Sequence, residues 1–173
     1  PLVRLITQEA YDLGAHHVTV RFSDEAIERM HYDHCAMDVF ENVPSWLAEL
    51  NNSMARNGAA VLTIDSDDPE AMSGIDTRKL IARAQASHKA CKEFYDALDF
   101  GRCVWCIVGG ASPAWARKVF PELPEREAVE RLWDAIFRTV RLEGADAAAA
   151  VEAWNKHRDS FADRCAWLNA QRF

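Results

Sequence analysis

Several things this sequence lacks narrow its reading before any motif is weighed. Positive charge is not in excess: 20 Lys+Arg stand against 27 Asp+Glu, for a net charge of -7 and a pI near 5.3. A nucleic-acid footprint needs the opposite balance, so no nucleic-acid partner is expected. No run approaches the ~20 apolar residues of a membrane span, and no basic segment leading into a short apolar one resembles a signal peptide. The expectation is a soluble chain with no membrane partner and a cytoplasmic location. Cysteines number five, an odd count without the dense paired spacing of a secreted scaffold. Reduced thiols follow. Internal repeats and low-complexity tracts are also missing.

What is present reads as one globular domain. The 173 residues, 49% hydrophobic and 27% charged, are enough for a core that needs no disulfide or metal to hold it. Leu2, Leu5, Ile6, Ala10 and Leu13 fall on one helical face that stops at Gly14, and "HHVTVRF" (16–22) then alternates like a strand. Ser23, with Asp24 and Glu25 behind it, offers an N-cap for a helix through Ile27 and Met30. Trp46, Leu47, Leu50 and Met54 mark another helix ending at Gly58, and "AAVLTID" (59–65) reads as a buried strand. A helical run over 77–98 carries Leu80, Ile81, Ala84, Cys91 and Phe94, followed by the strand "RCVWCIV" (102–108).

Pro113 suits a helix first turn, Leu132, Trp133, Ile136, Phe137 and Val140 line the next helix, and Asp146 caps a last one with Val151, Trp154, Phe161 and Leu168 inward. Apolar strands alternating with helices predict an α/β fold, a mostly parallel open sheet flanked by helices in a three-layer, Rossmann-like arrangement. The chain opens on Pro1 and closes on apolar Phe173, which reads as a piece of a longer polypeptide.

Four stretches carry candidate chemistry. Cys103 and Cys106 form a C-x-x-C, but both precede Gly109 and Gly110 and lie in the strand, not at a helix N-terminus where a thiol is activated. Three residues along a strand put them on opposite faces roughly 10 Å apart, too far for a disulfide. A zinc site would need a second C-x-x-C or a matching His pair. Buried structural cysteines are therefore expected. The "VGGASP" turn lets backbone approach a phosphate, yet G-x-G-x-x-G and G-K-[ST] are both absent, which favours a plain strand-to-helix connection.

"MHYDHCAMD" collects His31, Asp33, His34, Cys35 and Asp38, and on a helix His31 is in reach of His34 and Cys35. Two or three donors there are weighed against a solvated polar face, and the polar face is preferred. "IDSDDPEAMSGID" is acidic without the order of a calcium loop. It follows a strand, at the carboxyl edge where ligands gather in open parallel sheets, so a contact role for the loop 66–74 stays open. No G-x-S-x-G occurs, and the histidines lie on separate segments.

Taken together, "EAYDLGAHHVTV", "NVPSW", "SDDPEAMSGID", Trp105 in its strand, "PAWARKVFP", "REAVERLWDAIFRTVRLEGAD", "AWNKH" and "LNAQRF" span nearly the whole chain. In this order and spacing they resemble the N-terminal domain of the thermophilic metalloprotease family, the group of aminopeptidase T, aminopeptidase S and PepS. The resemblance implies a dimeric aminopeptidase acting on peptides, with two divalent metal ions, zinc or cobalt. It also implies that the metal ligands (two glutamates, two histidines, a tyrosine and an aspartate) belong to a C-terminal domain beginning shortly after Phe173. No position here matches them.

Residues 1–173 are thus expected to form an α/β domain truncated at its start, by a helix and a strand, that helps enclose the active-site cavity. Catalytic, cofactor-binding and metal residues are expected to be none in this chain, and the isolated piece inactive. Substrate-side contacts, if made, are placed in the loop 66–74, with Ser66 and Gly74 at its ends, and in the turn 109–113, from Gly109 to Pro113. Two other readings compete: a stand-alone Rossmann-like module taking a phosphate-bearing ligand at Gly109 and Gly110, and a small metal-dependent hydrolase built on His31, His34 and Cys35. An exposed sheet edge, with apolar helix faces, would favour self-association.

Overall fold

A computed structural model describes residues 2–142 and 147–171. The elements follow in the order α1 (Leu2–Asp12), α2 (Glu25–His34), α3 (Met37–Glu41), α4 (Ser45–Arg56), β1 (Val61–Asp65), α5 (Thr77–Ala90), α6 (Lys92–Asp99), β2 (Trp105–Gly109), α7 (Pro113–Val119), α8 (Glu125–Thr139) and α9 (Ala147–Ala170). The chain is mixed α/β and mostly helical. Its two strands, the only ones among the described residues, pair in parallel with Val61 opposite Trp105 and Asp65 opposite Gly109. The parallel pairing expected from apolar strands separated by helices is present.

Local chemistry explains several boundaries. Asp24, one residue beyond the expected Ser23, caps α2 by accepting the Ile27 amide at 2.9 Å. Ser112 caps α7 by accepting the Trp115 amide, with Pro113 in the first turn as expected. Gly14 and Gly58 end their helices with φ +94° and +64°, a region that costs glycine little.

Two elements differ from expectation. The run 77–98 is not one helix but breaks at Cys91, which is buried. Asn52 of α4 reaches into the break, donating to the Ala90 carbonyl at 3.0 Å and accepting from the Phe94 amide at 3.2 Å. A side chain inserted into the helical ladder is an ordinary cause of such a break. The segment 16–22 is not a strand. It is tied by the Val18 amide to the Tyr11 hydroxyl and by Arg21 to Asn51, but among the described residues no strand lies beside it, and alternation without a partner makes no ladder.

The core is small. Tyr32, Phe40 and Ile75 are buried where α2, α3 and the start of α5 meet, with Leu80 and Met72 packed on them. Phe40 is 1% exposed, its ring stacked on Tyr32 at 4.9 Å and edge-on to His31 at 5.3 Å. A second cluster, Ala116, Ala128 and Leu132, joins α7 to α8. The sheet is not covered on both faces: Trp105 is 54% and Ile107 61% exposed. In α9 no described residue is buried, and Val151, Trp154, Phe161 and Leu168, expected inward, are exposed. The expected Asp146 cap lies outside the described residues.

The accessible surface is 13086 Å², against about 8,500 Å² for a compact monomer of 19.5 kDa. The core is therefore smaller than a compact chain of this length would have, with the sheet and α9 largely uncovered among the described residues.

Phe40→Ala should cost about 3–5 kcal/mol, whereas Val39→Ala, at a half-exposed position next to it, should change stability by less than about 0.5 kcal/mol. Urea unfolding of the two variants followed by circular dichroism checks this. Equal losses would mean that the α2–α3–α5 cluster is not where the stability sits.

Candidate functional site

The carboxyl ends of β1 and β2 meet at one place. Beyond Asp65 the loop 66–74 turns away, and beyond Gly109 the chain turns into α7. The Gly110 amide donates to the Asp65 carbonyl at 2.7 Å, continuing the ladder past the paired residues. A Cβ added at Gly110 would stand 3.3 Å from Ser66 Cβ and 3.4 Å from Ile64 Cγ2, a tight fit against β1 that glycine relieves. At Gly109 the same atom would meet the Trp115 ring at an ordinary 3.5 Å. The turn 109–113 is a tight connection, as its lack of a phosphate motif implied.

The Gly110 amide is already committed, and Asp65, Asp67 and Asp68 stand close by in sequence and on the same edge. Both features work against a phosphate-bearing ligand, whose charge those carboxylates would repel.

The loop is held by charged side chains from two helices. The Asp68 amide donates to Glu25 Oε1 at 2.7 Å. One turn along α2, Arg29 Nη1 donates to the carbonyls of Ala71 at 2.7 Å and Ser73 at 2.8 Å. Lys118 of α7 forms an ion pair and hydrogen bond with Glu70. Inside the loop, Asp68 Oδ1 accepts the Glu70 amide, and Gly74 takes φ +79°. Burial first, then the hydrogen bond and charge of Asp67 and the charge of Asp68, push the Glu25 carboxyl above its ordinary value, against the opposing Asp68 amide.

The "MHYDHCAMD" stretch does not assemble a metal site. Helix α2 ends at His34, Cys35 is its extended C-cap, and Asp38 lies in the first turn of a different helix, α3. His31 Nδ1 and Cys35 Sγ come within 3.3 Å, but His34 and Asp33 are exposed. Lys79 occupies the end of α2, its Nζ 2.5 Å from the Tyr32 carbonyl and 2.7 Å from that of Cys35. An ammonium there opposes a second cation. Among the described residues, no three His, Cys, Asp or Glu side chains are grouped to hold a metal ion. The hydrolase reading of His31, His34 and Cys35 is corrected accordingly.

All five cysteines are free. Cys103 is buried but precedes β2, whereas Cys106 lies in β2 and is exposed on a sheet face without cover. Buried structural cysteine is thus right for one and wrong for the other. Sequence reading passed over Glu25, Arg29, Lys79 and Lys118 as loop and helix anchors. Their partners lie about 40 residues away, where no spacing rule reaches.

A raised Glu25 carboxyl means that its contribution to stability is full below the ordinary value of 4.5 and declines as pH rises through the folded value. Glu25→Gln keeps an acceptor for the Asp68 amide and gains a donor for Asp67. The variant should gain stability relative to the native chain as pH rises above 4.5 and hold that gain near neutrality. Denaturant midpoints from pH 4 to 8 test it, and a constant difference across that range would rule the carboxyl pair out as the cause.

Comparison with known proteins places this geometry. The whole chain, residues 1–173, matches the family described as thermophilic metalloprotease (M29). It is 33% identical over 171 residues to aminopeptidase AmpS of Bacillus subtilis and 37% identical over 171 residues to aminopeptidase T of Thermus thermophilus, covering 99% of this chain in each case. The solved structure of wild-type AmpT from Thermus thermophilus superposes with a TM-score of 0.80 at 36% identity, again over 99% of this chain. In all three the chain spans 41% of the relative's length. With its whole length matched and the fold shared, this chain belongs to the thermophilic metalloprotease family.

Proposed function

We propose that residues 1–173 are the N-terminal α/β domain of a metallo-aminopeptidase that removes N-terminal residues from peptides, and that this domain is scaffold and cavity wall, not the seat of the chemistry. The observation that carries the reading is the full-length match to aminopeptidases of which the chain spans 41%. Two others support it. The His31–Cys35 contact gains no third donor, Lys79 Nζ sits on the Cys35 carbonyl, and no group of three ligand side chains forms among the described residues. The exposed area exceeds that of a compact domain by roughly half, as expected of a piece whose faces are covered by the rest of a larger molecule.

In this reading a pair of divalent ions, zinc or cobalt, is held by a C-terminal domain outside residues 1–173. Bound there, the ions supply Lewis-acid polarisation of the scissile carbonyl and an activated water. The parallel β1–β2 pair is the centre of a wider, three-layer Rossmann-like sheet in the complete enzyme, with the segment 16–22 as one of its further strands. The enzyme works as a cytoplasmic homodimer. The segments facing substrate are the loop 66–74 and the turn 109–113, because both lie at the carboxyl edge, where ligands of open parallel sheets bind.

Residues 1–173, equilibrated with excess zinc or cobalt and desalted, should retain no stoichiometric metal by mass spectrometry and should not turn over an amino-acid anilide. Tightly held metal together with turnover would move catalysis into this chain. For the wall, Ser66→Ala and Ser73→Ala in the full-length enzyme should each raise KM about threefold, the scale of one hydrogen bond, with kcat little changed. Unchanged KM in both would remove the loop from the substrate side.

A further inference from the structure

The loop 66–74 does not hold itself. Its carbonyls at Asp68, Glu70 and Met72 accept from its own amides at Ala71, Ser73 and Ile75, at 3.0, 2.9 and 3.3 Å. The carbonyls of Ala71 and Ser73 are taken instead by one guanidinium nitrogen of Arg29. Arg29 comes from 42 and 44 residues earlier in the chain. The same side chain faces Asp33, with Nε 3.7 Å from Oδ2, which orients it along α2.

Glu25 and Arg29 are one helical turn apart, so α2 presents an acceptor and a donor on one side, matched in order to the Asp68 amide and then the Ala71 and Ser73 carbonyls. The far end of α2 is fixed in turn by Lys79 on the Tyr32 and Cys35 carbonyls, and Tyr32 is part of the buried cluster. A helix anchored through Tyr32 in the buried cluster thereby sets the path of an exposed loop.

We infer that Arg29 is a positioning residue for the aminopeptidase reaction: it fixes the carbonyl path of residues 71–73 so that the loop 66–74 presents a set surface to the peptide substrate. The inference rests on the reading of this loop as substrate-side wall. Arg29 touches no substrate in this scheme. It acts through two charge-assisted hydrogen bonds, stronger than neutral ones, and a loop displaced by even about 1 Å costs an enzyme much of its substrate fit. Lysine, with a compact ammonium on a flexible stem, can reach one or both carbonyls with less fixed geometry.

The test uses the full-length, metal-loaded enzyme with Arg29→Gln, Arg29→Lys and Ser66→Ala. Amide hydrogen exchange over residues 66–76 and the separate values of KM and kcat are the readouts. Arg29→Gln should speed exchange in the loop and raise KM about tenfold, with kcat within about twofold, and Arg29→Lys should recover part of both losses. Unchanged loop exchange in Arg29→Gln overturns the positioning role, and if Ser66→Ala still raises KM the substrate-side reading stands without it. Faster loop exchange with KM unchanged in all three variants sinks the substrate-side reading and this inference with it. A KM rise that Arg29→Lys does not relieve, without faster loop exchange, also overturns it.

Discussion

Parallel strands cannot be joined by a hairpin, and that constraint organises this chain. Once β1 and β2 pair in parallel, the residues between them must return to the starting end of the sheet, and they do so through the loop 66–74, α5 and α6. The crossover leaves the two carboxyl ends side by side, so the loop after β1 and the turn after β2 become neighbours. Gly110 records the closeness of that meeting, its amide bonded to the Asp65 carbonyl and its missing side chain making room for Ser66 and Ile64.

Around this pair the holding forces are unevenly spread. Apolar burial is modest: one small cluster lies where α2, α3 and the start of α5 meet, one between α7 and α8, and Cys91, Ala97 and Cys103 are buried besides. The exposed loop depends instead on charge-assisted contacts from α2 and α7. Surface ion pairs such as Lys118 with Glu70 are weak on their own. Arg29 differs, because it satisfies two backbone carbonyls of the loop, those of Ala71 and Ser73. Meanwhile Trp105 and Ile107 leave a sheet face open, and α9 presents Trp154 and Phe161 to solvent. Open apolar surface of this extent is unusual for a compact monomer.

Legibility in the sequence followed the range of each interaction. Caps and terminators are local, so Pro113 at the start of α7 and Gly14 and Gly58 at helix ends could be read directly, and Asp24 was missed by a single residue. The break at Cys91 could not, because it is made by Asn52 from another helix. The segment 16–22 had the alternation of a strand, but pairing is a property of two segments. The apolar residues of α9 had helical spacing, which says a face exists without saying what covers it. At the candidate site, the loop 66–74 and the glycine turn were legible as the ends of two strands. Their anchors, Glu25, Arg29 and Lys118, were not.

The sequence by itself determined most of the helices, the parallel pairing of the two strands and the family, because each depends on residue type and short-range order. Only the tertiary structure decided that Lys79 closes the end of α2, that Cys103 is buried while Cys106 is not, and that α2 grips the loop after β1. Those outcomes depend on contacts across about 40 residues or more, or on which face has cover. Packing in three dimensions sets both.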